Sequence, residues 1–334
     1  MTAEARPRIT YISWAPHCSR SDHTARELGG TSHMVYWSRL GSHPATVWLK
    51  YLGQAVGTWR ILARERPDAV FVMSPSPIAV LAVYCYCALT RTSFVIDAHS
   101  GAFQNPKWRA LRGLQYWLCR RALTTIVTNA HLASLVNRRG GRTVIVPDVP
   151  VRFPEPPMHA RDRPTFVVAC VTSFGTDEPI DAIFEAAHRL PCVTFYMTGD
   201  ASRLGDRLAA KPDNVTLTGF LDVPQYGALL QTADVVIALT TVDHTMLRGA
   251  YEAIYQCTPV IVSNSPILRE AFDEGSVHVD NSADAIVAAI RDVQQRPDAF
   301  REGARRLKAR KESRWSESRR ALLEALSGST PTHP

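Results

Sequence analysis

The chain has 334 residues, 46% of them hydrophobic, which makes it globular and, by the usual size of a domain, two domains rather than one. Its formal net charge of +7 conceals an asymmetry: residues 1–147 hold 18 Lys and Arg against 6 Asp and Glu, and residues 148–334 hold 20 against 25, so the first half is suited to an anionic partner. Seven cysteines without framework spacing argue against a disulfide-stapled secreted fold, and the N-terminal MTAEARPRITYIS lacks the apolar core and cleavage site of a secretory signal, so a cytoplasmic location is expected.

Apolar runs of strand length alternate with helix-length segments along the chain. In the first half strands are predicted at 8–13, 33–37, 69–73, 93–99, 124–129 and 143–147. The loop HCSRSDHTARELGG (17–30) opens a helix with Ser21 or Asp22 as cap and Gly29 and Gly30 at its end. WLKYLGQAVGTWRILARER (48–66) places Trp48, Leu52, Ala55, Trp59 and Leu62 on one helical face, with Arg60 and Arg64 one turn apart. The apolar run from Ala69 to Leu89 is broken by SPSP into halves too short to span a bilayer. A helix over 107–122 brings Arg109, Arg112, Tyr116 and Arg120 to one side, beside Trp108 and Trp117. Residues 147–164 contain six prolines and read as extended.

In the second half strands are predicted at 165–172, 193–199, 215–219, 234–240, 259–264 and 277–280, and a charged helix near the end is expected to pack back on the first domain. The expected organisation is an N-terminal domain over 1–150, a linker over 151–164, a C-terminal domain over 165–312, and a C-terminal helix and tail over 313–334. Nearly all-apolar strands alternating with helices predict an α/β fold of two Rossmann-like, doubly wound domains facing across a cleft, with ligands at the carboxyl ends of the strands.

The second half also resembles a known family. SFGTDEPIDAIFEAA (173–187), VTFYMTGD (193–200), NVTLTGFLDVPQYGALLQTADVVIAL (214–239) and RGAYEAIYQCTPVIVSN (248–264) are similar, in order, to segments of the GT-B nucleotide-sugar glycosyltransferases, and within them to the GT4-like group. The first domain resembles the family more loosely, through its strand order, the 17–30 loop and DAHSGAF (97–103). The resemblance implies that Glu252 bonds the nucleotide ribose and that His99 contacts the donor sugar. Eight positions before Glu252 the family carries a second glutamate where this chain has His244 beside Asp243, so Asp243 is the substitute carboxylate. The family also places an Arg and a Lys after the first strand of this domain, and SFGTDEPID has neither.

The chemistry of a sugar nucleotide fits these positions. A ribose diol asks for a carboxylate, and a diphosphate asks for cations and N–H donors. A helix starting near Met246 would aim its positive amino end at the phosphates, with Arg248 adding a full charge and Gly249 keeping the backbone close. Asp97 and His99, two residues apart at a strand end, are expected together at the reacting centre, Asp97 as base if the reaction inverts the anomeric carbon. Arg20 and Asp22 are candidates for an acceptor or phosphate loop. His17, Cys18 and His23 form no metal-ligand pattern, so no metal or other cofactor is expected beyond the donor substrate.

Basic and aromatic residues are interleaved at Trp48, Lys50, Trp59, Arg60, Trp108, Arg109 and Arg112, which are expected to face an anionic membrane surface on the inner side of the cell membrane, where a lipid-linked or glycan acceptor would be met. Two alternatives accompany this expectation: a nucleotide-sugar epimerase on the same fold, and a basic module that binds nucleic acid. No nucleic-acid recognition motif is present, so nucleic acid is not an expected partner.

Overall fold

The predicted apolar runs become twelve strands among the described residues, in two parallel sheets of six. The computed structural model describes residues 7–37, 46–74, 76–156, 165–243 and 245–327. The chain divides into one unit of Met1–Val149 with Arg314–Pro334 and a second of Pro150–Ser313.

The first unit contains β1 (Ile9–Ser13), α1 (Ser19–Leu28), β2 (Thr31–Met34), α2 (Val47–Glu65), β3 (Ala69–Ser74), α3 (Pro77–Thr90), β4 (Ser93–Ala98), α4 (Gly101–Gln104), α5 (Arg112–Arg121), β5 (Thr124–Val127), α6 (Ala130–Asn137) and β6 (Thr143–Ile145). Its sheet runs β2-β1-β3-β4-β5-β6. Ile12, Val70, Val72 and Ile96 pack on one side and Ile9, Tyr11, Phe71 and Val95 on the other, so the sheet is covered on both faces and the strands read as continuous apolar runs.

Gly29 ends α1 in the left-handed conformation, as its position in the sequence suggested. Gly30 follows so close to β1 that a Cβ would lie 2.5 Å from the Ile9 carbonyl. Pairing therefore begins at once, and β2 starts two residues before its predicted position, leaving Tyr36 and Trp37 outside the ladder and exposed. Neither Ser21 nor Asp22 caps α1: the helix starts at Ser19, and the cap residue Cys18 makes no side-chain capping bond.

Helix α2 turns Trp48, Trp59 and Arg60 outward, as expected, but Lys50 inward. Its inward positions are Lys50, Gln54, Thr58 and Leu62, and Trp48, Leu49, Leu52, Val56 and Trp59 are exposed. The polar inward residues have partners. Gln54 donates to the Val35 carbonyl at 2.7 Å, the Thr58 hydroxyl accepts from the Trp14 indole at 2.9 Å, and the Lys50 ammonium lies 4.2 Å from the centre of the Tyr36 ring. Lys50 is thus not a membrane-facing cation. The helix predicted over 107–122 splits into a 3₁₀ segment, Pro106–Leu111, and α5; Trp108 is buried rather than surface-facing, while Arg109 is exposed and Arg112 half-buried.

The second unit contains β7 (Phe166–Cys170), α7 (Ile180–His188), β8 (Val193–Thr198), β9 (Val215–Gly219), α8 (Val223–Thr232), β10 (Val235–Ala238), α9 (Arg248–Tyr255), β11 (Val260–Ser263), α10 (Pro266–Ala271), β12 (Ser276–Val279), α11 (Ala283–Gln295) and the start of α12 (Pro297–Ser327). Its sheet runs β12-β11-β10-β7-β8-β9, the strand order of dinucleotide-binding folds. Val168, Cys170, Phe195 and Ile237 enter one core, and Val167, Ala169, Val236 and Val260 the other.

The proline-rich stretch is not a free linker over its described part. Phe153 packs edge-on against Tyr226, filling space where a Cβ on Gly227 would sit, and the Val151 carbonyl accepts from Gln256 at 2.9 Å. Residues 157–164 lie outside the described part of the chain. At the other end, residues from Arg314 onward belong to the first unit: the Trp315 indole donates to Glu27 at 3.1 Å, and Leu322 and Leu326 join Ile9, Tyr11 and Phe71 in its core.

Candidate active site

In the second unit the chain leaves β9 at one edge of the sheet and returns to the centre at β10, so β7 and β10 are neighbours whose connections depart in opposite directions. The crevice at their carboxyl ends is where such sheets hold ligands. The loop after β7 is tied across this point: Thr240 donates to an Asp177 carboxylate oxygen at 3.0 Å, and the Thr241 amide donates to the Asp177 carbonyl at 2.7 Å. Helix α9 begins here, at Arg248 rather than near Met246, and no side chain caps its amino end. Phe174, in the β7 loop, has a φ of 53°, an uncommon conformation for a bulky residue and a mark of a constrained turn.

Glu252 is only 6% exposed, and both carboxylate oxygens are held: Oε1 accepts from Arg248 Nε and Oε2 from the Tyr226 hydroxyl, each at 2.6 Å. Burial, followed by the charge and hydrogen bond of Glu252, keeps the Tyr226 phenol well above its ordinary pKa, so it remains a donor. A carboxylate has about four acceptor positions, so the two bonds leave acceptor capacity on each oxygen unused. The Arg248 side chain is 39% exposed and that of Glu252 8%, so the guanidinium is the more open member of the pair.

Gly249 makes a close approach, but to protein: a Cβ there would lie 2.5 Å from Val171 Cγ1, at the end of β7. Gly249→Ala is expected to displace the start of α9 and destabilise the protein by about 1–3 kcal/mol. A melting temperature equal to that of the wild type would show that Val171 yields freely.

Four residues near this edge were not singled out from sequence. Tyr226 is one. Glu178 accepts from the Ser173 amide at 2.9 Å and the Gly175 amide at 3.1 Å, so its own carboxylate occupies the amides of the loop after β7. Arg203, after β8, donates to the Ser173 carbonyl at 3.3 Å and brings a cation to the loop that lacked one in sequence. Phe220, just past β9, is 83% exposed. Only Phe220 carried a local signal, as a large apolar residue after a glycine turn. Asp243 is exposed and lines a cavity of about 270 Å³ with Thr240, Ser263, Asn264, Asp280 and Asn281, at the ends of β10, β11 and β12. His244 lies outside the described residues.

In the first unit the expected reacting pair separates. Asp97 is fully buried and bonded to the Tyr11 hydroxyl at 2.5 Å and Arg20 Nε at 3.0 Å. Burial alone would raise the pKa of its carboxyl, but the charges of Arg20 and His99 and the bonds from Tyr11 and Arg20 hold it below the ordinary carboxylate range. Asp97 therefore holds the interior together instead of facing a substrate. Arg20 is likewise spent internally, donating also to the Val146 carbonyl at 3.0 Å, and does not form a phosphate loop. His99, half-buried just beyond β4, is the member of the pair that reaches the sheet's carboxyl edge. Asp22 is half-buried and accepts from the Ser32 hydroxyl. Among the described residues no group of three His, Cys, Asp or Glu side chains is placed to hold a metal ion.

Two units on six-stranded parallel sheets, the second with a nucleotide-type switch point, define the GT-B class of fold. Residues 158–314, which span most of the second unit, match the family described as glycosyl transferases group 1. The fold is shared with sucrose-phosphate synthase from Thermosynechococcus elongatus, at a TM-score of 0.73 and 16% identity over 96% of this chain and 98% of that one. It is shared with Anabaena HepE in complex with UDP-glucose, at a TM-score of 0.68 and 14% identity over 96% and 100%. A protein of Listeria monocytogenes assigned as a UDP-N-acetylglucosamine 2-epimerase also shares it, at a TM-score of 0.64 and 12% identity over 97% and 96%. No curated protein matches the chain by sequence.

Proposed function

We propose that the protein is a nucleotide-sugar-dependent hexosyltransferase that moves a sugar from a nucleoside diphosphate sugar to a lipid-linked or glycan acceptor, in the cytoplasm and peripherally at an anionic membrane surface. The observation that carries the proposal is Glu252, held by Tyr226 and Arg248 in the first turns of an uncapped helix at the β7/β10 switch point. The family match across most of the second unit and the UDP-glucose bound by HepE support it.

In this reading Glu252 accepts from the ribose hydroxyls, and Arg248 with the α9 amides takes the diphosphate. As the bond from the anomeric carbon to the phosphate oxygen breaks, negative charge grows on the leaving diphosphate, and donors already fixed in place stabilise it. His99 orients the sugar. Membrane contact is supported by the outward face of α2, where Trp48 is 58% and Leu52 57% exposed beside Trp59 and Arg60. No helix among the described residues is long and apolar enough to cross a membrane.

Thermal unfolding against UDP, GDP, ADP, CDP and dTDP, with and without magnesium, tests the donor half. At about 100 times its dissociation constant a ligand adds about 2.7 kcal/mol, so one nucleotide is expected to raise the melting temperature by several degrees. No shift with any of the five sinks the reading. The Listeria likeness keeps an epimerase as the second reading, and product analysis separates the two: transfer releases the nucleoside diphosphate, whereas epimerisation leaves it attached.

A further inference from the structure

Between Asp97 and Asp148 the chain has eight Lys and Arg and no acidic residue. Three of these arginines converge away from the carboxyl edge of the first unit's sheet. Arg120 and Arg121 end α5, and Arg142 immediately precedes β6. They line a cavity of about 380 Å³ at the amino-terminal edge, where β4 and β5 begin. Its other walls combine apolar side chains, among them Cys87, Phe94 and Leu123, with Tyr84 and the polar Thr92 and Ser93. No acidic side chain lines it, and among the described residues none of the three arginines is in an ion pair.

Arg121 is held in place by stacking at 4.7 Å on the Trp117 ring and by donating to the Tyr84 hydroxyl at 3.3 Å. Those contacts orient one guanidinium and leave its charge uncompensated. Arginines at the end of a helix interact favourably with its carbonyls, which accounts for Arg120 and Arg121 but not for Arg142 or for the cavity. Three guanidinium groups around a cavity with both apolar and polar walls match the oxygens of a phosphate with hydrocarbon attached. One residue beyond the lining residue Ala88, near the end of α3, Leu89 is 74% exposed. Helix α3, which ends there, carries α2 on its flank: the Trp59 indole donates to the Ala82 carbonyl at 2.8 Å, and the Tyr86 hydroxyl to the Leu62 carbonyl at 3.0 Å.

We infer that this arginine cavity binds the phosphate of an acidic membrane lipid, with Leu89 entering the acyl region. The inference rests on the membrane contact proposed above and names the group that is bound; it does not depend on glycosyl transfer, which the nucleotide titration reads separately.

The test is flotation of the full chain with phosphatidylcholine vesicles with and without phosphatidylglycerol. The variants are a triple Arg120→Gln, Arg121→Gln, Arg142→Gln, and a control of equal charge away from α2, Arg26→Gln, Arg138→Gln, Arg291→Gln. The wild type is expected to float only with phosphatidylglycerol, the cavity triple to partition about a hundredfold more weakly, and the control to lose much less. Equal losses in the two triples would reduce the cavity to undirected charge and overturn the inference. So would a cavity triple that floats like the wild type, or a wild type that does not float at all. Inorganic pyrophosphate distinguishes the sources of phosphate: if it binds the wild type and not the cavity triple while flotation is unchanged, the cavity serves a free anion and the lipid assignment falls.

Discussion

Glu252→Ala is expected to raise the KM for the sugar nucleotide by about 10–100-fold, the worth of a lost hydrogen-bond pair to a charged group, and to remove the nucleotide-induced rise in melting temperature. The change should fall mainly on KM. The ribose lies away from the bond that breaks, so a contact to its diol is as strong in the ground state as in the transition state. The variant also orphans two partners, the buried Tyr226 hydroxyl and the Arg248 guanidinium, so a loss of stability would accompany the loss of binding. Tyr226→Phe separates the two effects. It removes the hydroxyl without leaving a buried carboxylate bare, since Arg248 still pairs with it, and it should keep most of the stability while weakening donor binding less than Glu252→Ala. Unchanged nucleotide binding in Glu252→Ala would leave the fold intact and remove the site.

Arg20→Met should produce the largest loss of stability. It leaves the Asp97 carboxylate buried without its ion-pair partner, a change that costs about 3–5 kcal/mol in comparable sites. For a unit of this size that is a fall of roughly 6–20 °C in melting temperature. The double variant Arg20→Met, Asp97→Leu removes both charges and should recover part of the loss, though not all, because the Val146 carbonyl and the Tyr11 hydroxyl also lose a partner. A double variant no better than the single would mean that packing, not charge, dominates there. The pair also fixes the direction of the acid response. The pKa of Asp97 is lower folded than unfolded, so its stabilisation is present above the unfolded value near ~4 and is lost as pH falls through the lowered folded value. Melting curves taken downward from neutral pH should show this loss in the wild type, and the double variant should lack that component.

Both sheets were legible because each is buried on two faces, and strands such as AVFVM and DVVIALT then have no polar side to disguise them. The position of Glu252 was legible for a related reason: its helix and the strand after it form one local unit. Its anchor, Tyr226, comes from α8, and nothing in the local sequence couples the two. Arg20 and Asp97 were misread in the same way. Each looked like a ligand in its own loop, and the partner that consumes it is 77 positions away. In helix α2 the expected outward residues Trp48 and Trp59 are exposed, and only Lys50 was misplaced. Periodicity identifies the apolar stripe, but which stripe faces inward depends on whether the polar one finds partners, and Gln54 and Thr58 find theirs in Val35 and Trp14. Proline content marked 147–164 as extended, yet extended chain also packs, as Phe153 does on Tyr226.

The membership of Trp315, Leu322 and Leu326 in the first unit's core bears on how the protein is made. On the ribosome an N-terminal domain normally finishes folding before the next one is translated. Here the first 149 residues emerge with an apolar face around Ile9, Tyr11 and Phe71 that lacks its cover, and that cover is synthesised only after the whole second unit. The second unit therefore has all its residues first, although it begins later. In the interval the first is a partly closed nascent domain whose exposed face is a natural client for a chaperone, and the closing step couples completion of the first unit to production of the second.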